Sequence, residues 1–267
     1  MNATDNPTVA VAQCKICGMR SEFFDEAQVL RKYDVKYFRC AGCGFLQTET
    51  PYWLKEAYST AISRLDTGIL ARNLANQKLA NAVLNLLHPG AKRSLDFGAG
   101  HGIFVRLMRD RGFEFSWYDL HASNNYAGGF EHEEGRTYDF LTSFEVLEHL
   151  VDPIAEISRM MSLSPNVFVS TSLVPKPAPK VSDWWYYGPN HGQHVSFYTL
   201  DALHSIAQRF GRNLLSRGSY HLFTVARKSS FLFRIATSQS ASQLLNAWQK
   251  RRSLADSDHE SMSRRET

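Results

Sequence analysis

The apolar residues of "TGILARNLANQKLANAVLNLLHPG" fall at helical spacing: Ile69, Leu70, Leu74, Leu79, Val83, Leu86 and Leu87. "HPG" closes that helix, and the period then changes. Ser94–Phe97 reads as a short strand running into a glycine-rich turn, and "IFVRLMRDRG" as a helix closed by Gly112. "FEFSWYD" is a second strand, "YDFLTSFEVLEHL" a strand passing into a helix, and "NVFVSTSLV" a buried strand. "TLDALHSIAQRFG" is a capped helix, and "NLLSRGSYHLFTVARK" gives two strands around "RGS". Upstream, "TETPYWLKEAY" reads as a helix start with Thr50 as N-cap and Pro51 in the first position. Strands alternating with helices predict an α/β fold: a doubly wound, mostly parallel sheet with an antiparallel C-terminal hairpin. There is no internal repeat.

Composition narrows the class. The chain has 267 residues, 43% hydrophobic and 21% charged, with a net charge of +4. That suits one sizeable core plus a small appended module. No long basic run dominates a face, which argues against nucleic acid as the principal partner. "MNATDNPTVAVAQ" has no basic segment followed by an apolar one, and the longest apolar run is too short to span a bilayer. A cytoplasmic protein is expected, and there paired cysteines more often hold metal than form disulfides.

All four cysteines lie in two matched pairs, Cys14–Cys17 in "CKIC" and Cys40–Cys43 in "CAGC". Two intervening residues turn both sulfurs of a pair toward one point. The 22 residues between Cys17 and Cys40 suffice for a hairpin to return. Gly18 and Gly44 follow the pairs and permit the tight turn. A closed four-sulfur tetrahedron suits a structural Zn2+ with no open position for catalysis. Arg20, Arg31, Lys32, Lys36 and Arg39 between the pairs are offset by Glu22, Asp25, Glu26 and Asp34, so a nucleic-acid grip is the weaker reading.

"LDFGAGHG" places Gly98, Gly100 and Gly102 between a strand and a helix, but the third glycine comes one residue too early for a dinucleotide fingerprint. Asp96 at the strand end would repel a pyrophosphate and suits a cationic or amine-bearing ligand. Asp119 lies 21 residues beyond Gly98, where a carboxylate can take both hydroxyls of a ribose. "LDFGAGHG", "YDL" and "FEVLEHLVDP" in this order resemble class I S-adenosylmethionine-dependent methyltransferases, and more narrowly the ubiquinone-pathway and sugar methyltransferases. The cysteine pairs followed by an aromatic-rich helix are similar to the zinc-binding leader of some of those enzymes. The resemblance spans about Cys14 to Lys228. It implies that Asp96 and the backbone from Gly98 to Gly102 hold the methionine part of S-adenosylmethionine. It also implies that Asp119 binds the ribose, and that Phe144 and Glu145 lie near the sulfonium. "HASNNYAGGFEHEEGRTYD" is too short for the family's usual helix and third strand; His121 and Tyr138 are the candidates for adenine. No (D/N)PP(Y/F) tetrad follows the fourth strand, which argues against methylation of an exocyclic amine in DNA or of glutamine. Glu148 and His149 read as a solvated pair at a helix start, with a catalytic role for His149 the lesser alternative. The expected organisation is a zinc-knuckle module over 1–50, a helical linker or lid over 51–90, a cofactor-binding catalytic domain over 91–228, and a helical, then frayed, tail over 229–267.

"VPKPAPKVSDWWYYGPNHGQHVSFYTL" begins where the fifth strand ends, on the edge where open sheets bind ligands. Pro175, Pro177 and Pro179 predict a stiff arm. Trp184, Trp185, Tyr186 and Tyr187 then wall a pocket or form core. His191 or His194 is expected to take a proton from the acceptor; the competing reading makes His194 structural. The H-x-x-H spacing also suits a metal, but shows no third ligand. The resulting expectation is methyl transfer to a hydroxyl or carbon of a small molecule: a sugar or glycan unit of a surface polysaccharide, or a secondary metabolite. The alternative is a binding protein with the same fold and no turnover, contacting RNA or a protein through the zinc knuckle and "WQKRRS". Docking of "FLFRIA…LLNAWQKRR" on a membrane surface is weaker than its packing as helix.

Overall fold

The structure, a computed structural model, describes residues 11–59, 67–248 and 251–264. Its strands are β1 (Val11–Gln13), β2 (Arg20–Val29), β3 (Tyr33–Cys40), β4 (Leu46–Thr48), β5 (Arg93–Phe97), β6 (Glu114–Tyr118), β7 (Phe140–Phe144), β8 (Asn166–Ser170), β9 (Ser196–Phe197), β10 (Asn213–Arg217) and β11 (Tyr220–Thr224). Its helices are α1 (Leu54–Ala57), α2 (Ile69–Leu87), α3 (Ile103–Asp110), α4 (Pro153–Leu163), α5 (Leu200–Arg209), α6 (Ser230–Ala236), α7 (Gln239–Trp248) and α8 (Ala255–Ser263). They form two compact units. The first gathers the described part of Met1–Ser59 with Glu148–Ala155 and Ser172–Ile206; the second holds the rest.

In the second unit a six-stranded sheet runs β10-β11-β8-β7-β5-β6. β6, β5, β7 and β8 are parallel, and the β10–β11 hairpin adds an antiparallel edge, as the alternation predicts. Val167, Phe168 and Val169 of β8 are all buried, the continuous apolar run of a strand covered on both faces. Beyond β6 the loop that replaces a third strand keeps one vestige, a parallel bridge between Trp117 and Glu131.

Two details depart from the pattern. Leu70 and Leu74, counted on the apolar face of α2, are exposed, while Asn76, Gln77 and Asn81 are buried. The amides of Gln77 and Asn81 donate to Asn246 of α7, at 3.3 and 2.7 Å, so a polar seam sets the helix's rotation. Beyond Arg252, where fraying is expected, Ala255–Ser263 form α8. Asp258 of α8 accepts from Arg109 in a buried pair and from Arg106 at 2.9 Å, which ties α8 to α3. Burial of that pair makes the order of α8 a long-range effect, invisible in its polar sequence.

The first unit carries an antiparallel sheet, β1-β2-β3-β4-β9. The β2–β3 hairpin is what joins the two cysteine pairs. A bulge at Phe23/Asp25 turns Asp25 toward the later loop, where its carboxylate accepts from Val181 N at 2.8 Å. β9 is a strand drawn from the segment expected to be loop. Tyr186, Tyr187 and Phe197 fill the core with Val29, Tyr37, Leu46 and Trp53, so most of the aromatic run is core. α1 is one turn, entered at Trp53 rather than Thr50, because Thr50–Tyr52 close a separate turn (Tyr52 N to Thr50 O, 2.9 Å). Among the described residues no helix is long and apolar enough to cross a membrane.

Candidate functional site

The sulfurs of Cys14, Cys17, Cys40 and Cys43 all lie within 4.8 Å of one another. The edges Cys14–Cys43 and Cys17–Cys40 measure 3.7 and 3.4 Å. A tetrahedron with Zn–S of about 2.3 Å has S···S edges of about 3.8 Å, so the donor set fits Zn2+. Each pair is a closed turn. Gly18 N and Gly44 N reach the carbonyls of Cys14 and Cys40 at 3.0 and 3.1 Å, with φ of 75° and 70°. Ile16 N and Cys43 N each donate to a cysteine sulfur at 3.4 Å. Sulfur hydrogen bonding from Cys43 holds the Cys14 thiol down to about 5, and the same contact pushes Cys43 up. That is a pair sharing one proton; a dication is what lets all four be thiolates.

In the second unit the glycine turn follows β5. Gly98 N and Ala99 N donate to Tyr118 O at 2.8 and 3.0 Å. A Cβ at Gly98 would stand 2.5 Å from Val146, and one at Gly102 2.8 Å from Asn124. Only bare backbone fits, at the carboxyl end of the strand. Asp119 does work the sequence did not reveal: it accepts from Gly100 N at 2.8 Å and from His121 N and Ala122 N at 2.7 and 2.8 Å. A carboxylate has about four acceptor positions, so these three bonds leave one, on Oδ2, for a ribose hydroxyl. Asp96 is wholly buried, accepts from the Thr142 hydroxyl at 2.6 Å, and burial raises its carboxyl to about 7. Glu145 takes a left-handed φ of 55° at the end of β7. Its N–H donates to Ser170 Oγ at 2.9 Å, and that hydroxyl donates back to Glu145 Oε1 at 2.6 Å. Backbone held in this region by a reciprocal pair is typical of functional sites. Phe144 lies edge-on to Phe104 and Phe168. Of the adenine candidates, Tyr138 is buried and bonded to His132, whereas His121 is exposed. The glycine turn and Asp119 thus fit S-adenosylmethionine by their chemistry.

The histidines belong to the first unit. His194 Nδ1 lies 2.6 Å from the Tyr186 carbonyl, which can only accept, so Nδ1 carries the proton and Nε2 the lone pair. Burial, then the like charge of His149, holds His194 well below the ordinary histidine range. His191 has the opposite arrangement: its Nδ1 accepts from Gln193 N at 3.1 Å, so its proton is on Nε2. His191 and His194 meet edge to face at 4.6 Å, and His194 and His149 at 4.8 Å. The Tyr58 hydroxyl lies 2.9 Å from His149 Nδ1. Glu148 is 1% exposed and not solvated: Val195 N donates to its carbonyl at 2.8 Å, and Ser196 Oγ to Leu150 O at 2.7 Å. These bonds bring His194 to Glu148 and His149, and ligand atoms of the three lie within 4.8 Å of one another. His191 is not part of that cluster.

The model of a methyltransferase domain family matches residues 70–217, more than half of the chain. No curated protein matches significantly. Among solved structures, the chain is similar to an O-methyltransferase family protein from Burkholderia thailandensis (15% identity, 66% of this chain and 62% of that one, TM-score 0.49). It is also similar to the human N-acetylserotonin methyltransferase in complex with S-adenosylmethionine (13% identity, 66% of each chain, TM-score 0.44). A third is the magnesium protoporphyrin IX methyltransferase of Synechocystis (14% identity, 65% of this chain and 94% of that one, TM-score 0.43). The chain spans 62% of the length of the first of these. The family match, and not these distant likenesses, carries the assignment.

Proposed function

Because the chain belongs to the methyltransferase domain family, we propose that it moves the methyl of S-adenosylmethionine to a hydroxyl or carbon of a small molecule, a sugar unit of a surface polysaccharide or a secondary metabolite. The observation that carries this is the glycine turn after β5, where no side chain fits at Gly98 or Gly102. In this reading the backbone from Gly98 to Gly102 takes the methionine end, and Asp119 takes the ribose while holding the turn. Asp96, at the end of β5, joins that backbone in holding the methionine end, and Glu145 and Phe144 lie near the sulfonium. The cofactor, when bound, supplies an activated methyl on a sulfonium, leaving the protein to align the acceptor and manage one proton.

That proton separates the two histidines. His191 Nδ1 is occupied by a backbone N–H, whereas His194 keeps a lone pair at Nε2. We assign activation of the acceptor to His194. Trp185, 78% exposed and edge-on to Tyr186, is an indole bare enough to stack on a sugar ring. Zinc on the four cysteines is a structural clip with no part in the chemistry, and a reducing cytoplasm keeps it loaded.

Calorimetric titration with S-adenosylmethionine tests the reading. Wild type binds the cofactor, and Gly98→Val does not while still melting cooperatively. A folded wild type that shows no binding heat contradicts the proposal.

A further inference from the structure

We propose that Glu148, His149 and His194 form a second metal site, for a divalent first-row cation such as Mn2+, Fe2+ or Co2+, distinct from the four-cysteine site. Two imidazoles and a carboxylate place their ligand atoms within 4.8 Å of one another, a donor set that suits such ions. The outer contacts are those of a ligand set. His194 donates Nδ1–H to a backbone carbonyl at 2.6 Å, which fixes the tautomer that points a lone pair from Nε2. The Tyr58 hydroxyl lies 2.9 Å from His149 Nδ1 and holds the ring; where it accepts the Nδ1 proton, Nε2 is left for an ion. Glu148 is buried at the same place, and its carboxylate adds an oxygen donor to the two imidazoles. The Val195 N–H on the Glu148 carbonyl and the Ser196 hydroxyl on the Leu150 carbonyl flank His149 and hold it in register with His194, 45 positions on, before any ion arrives.

Three protein ligands leave coordination positions open, unlike the closed sulfur site. Those positions take oxygen, and a cation lowers the pKa of a hydroxyl it binds. This inference rests on the methyl-transfer reading, in which the Nε2 lone pair of His194 then serves as ligand rather than as base and the hydroxyl proton passes to water.

The test uses the full chain, stripped with a chelator, recharged with one equivalent of Zn2+, and titrated with Mn2+ while free ion is followed by paramagnetic resonance. Mn2+ is a poor partner for four thiolates, so it reports the second site. One Mn2+ per chain is expected, with zinc unchanged. Glu148→Gln and His149→Ala should weaken Mn2+ binding by about 100-fold or more, and Tyr58→Phe, which removes only the outer hydroxyl, by about 10-fold. The Tyr58 variant and the wild-type count keep the test decisive if a ligand variant fails to fold. Wild type that retains zinc and binds no Mn2+ overturns the site, as does equal binding in folded ligand variants. Cofactor titration on the same sample separates the readings: Mn2+ bound without S-adenosylmethionine sinks methyl transfer and leaves the metal site standing.

Discussion

The two ligand clusters of the first unit differ in what they leave open. The cysteine cluster is made of four identical soft donors from two tight turns, and its geometry closes around an ion. The Glu148, His149 and His194 cluster mixes nitrogen and oxygen from segments 45 residues apart, held by backbone bonds and outer-shell donors rather than by turns. Four thiolates would fill the coordination of a zinc ion, whereas three mixed ligands would leave a position open. The two metal-type clusters of one small unit thus differ in ligand number and donor type.

The comparison breaks most visibly at the cysteines. Cys14→Ser should release zinc and with it a binding free energy on the order of 10 kcal/mol, read as lost zinc and a lost melting transition of the first unit. A variant that keeps one zinc per chain and melts like wild type would sink the structural role. Next comes the open cluster: His194→Ala should lower methyl transfer by about 100-fold or more while binding S-adenosylmethionine as wild type does. Full activity in that variant on the true acceptor removes His194 from the chemistry.

A buried acid with only a hydroxyl partner supplies the control. Asp96 is raised to about 7 in the fold, chiefly by burial. The folded state therefore binds more protons than the unfolded chain between its ordinary pKa near 4 and about 7. Its contribution to stability is full below the unfolded pKa and lost as pH rises through the folded one. Between pH 5 and 7 the loss should approach about 2 kcal/mol in wild type and vanish in Asp96→Asn, measured by denaturant melts. Equal slopes in the two proteins would show that Asp96 is not protonated in the fold. The smallest effect is that of Tyr58→Phe on the open cluster, about 10-fold in metal affinity with zinc untouched.

Local chemistry was legible in the sequence. Cysteine spacing, the glycine turn and the strand–helix alternation each depend on neighbours within a few residues, and each is found where its pattern lies. The long-range features were not legible. Glu148 and His149 look like a solvated pair because their sequence is polar; only the return of β9 buries Glu148 and brings His194 to it. The H-x-x-H spacing drew attention to His191, whose Nδ1 is taken by Gln193 N. The third ligand lay far upstream. The polar seam of α2 and the pairing of α8 with Arg109 were hidden for the same reason: both depend on partners more than 100 residues away.

The most direct measurement is transfer of labelled methyl from S-adenosylmethionine to sugar and glycan extracts by the metal-loaded full chain. The account predicts label in a hydroxyl- or carbon-linked methyl, with one S-adenosylhomocysteine released per methyl transferred. A folded, zinc-loaded protein that binds S-adenosylmethionine yet transfers no label to any acceptor, with or without added Mn2+, would contradict it and leave a binding protein built on a methyltransferase fold.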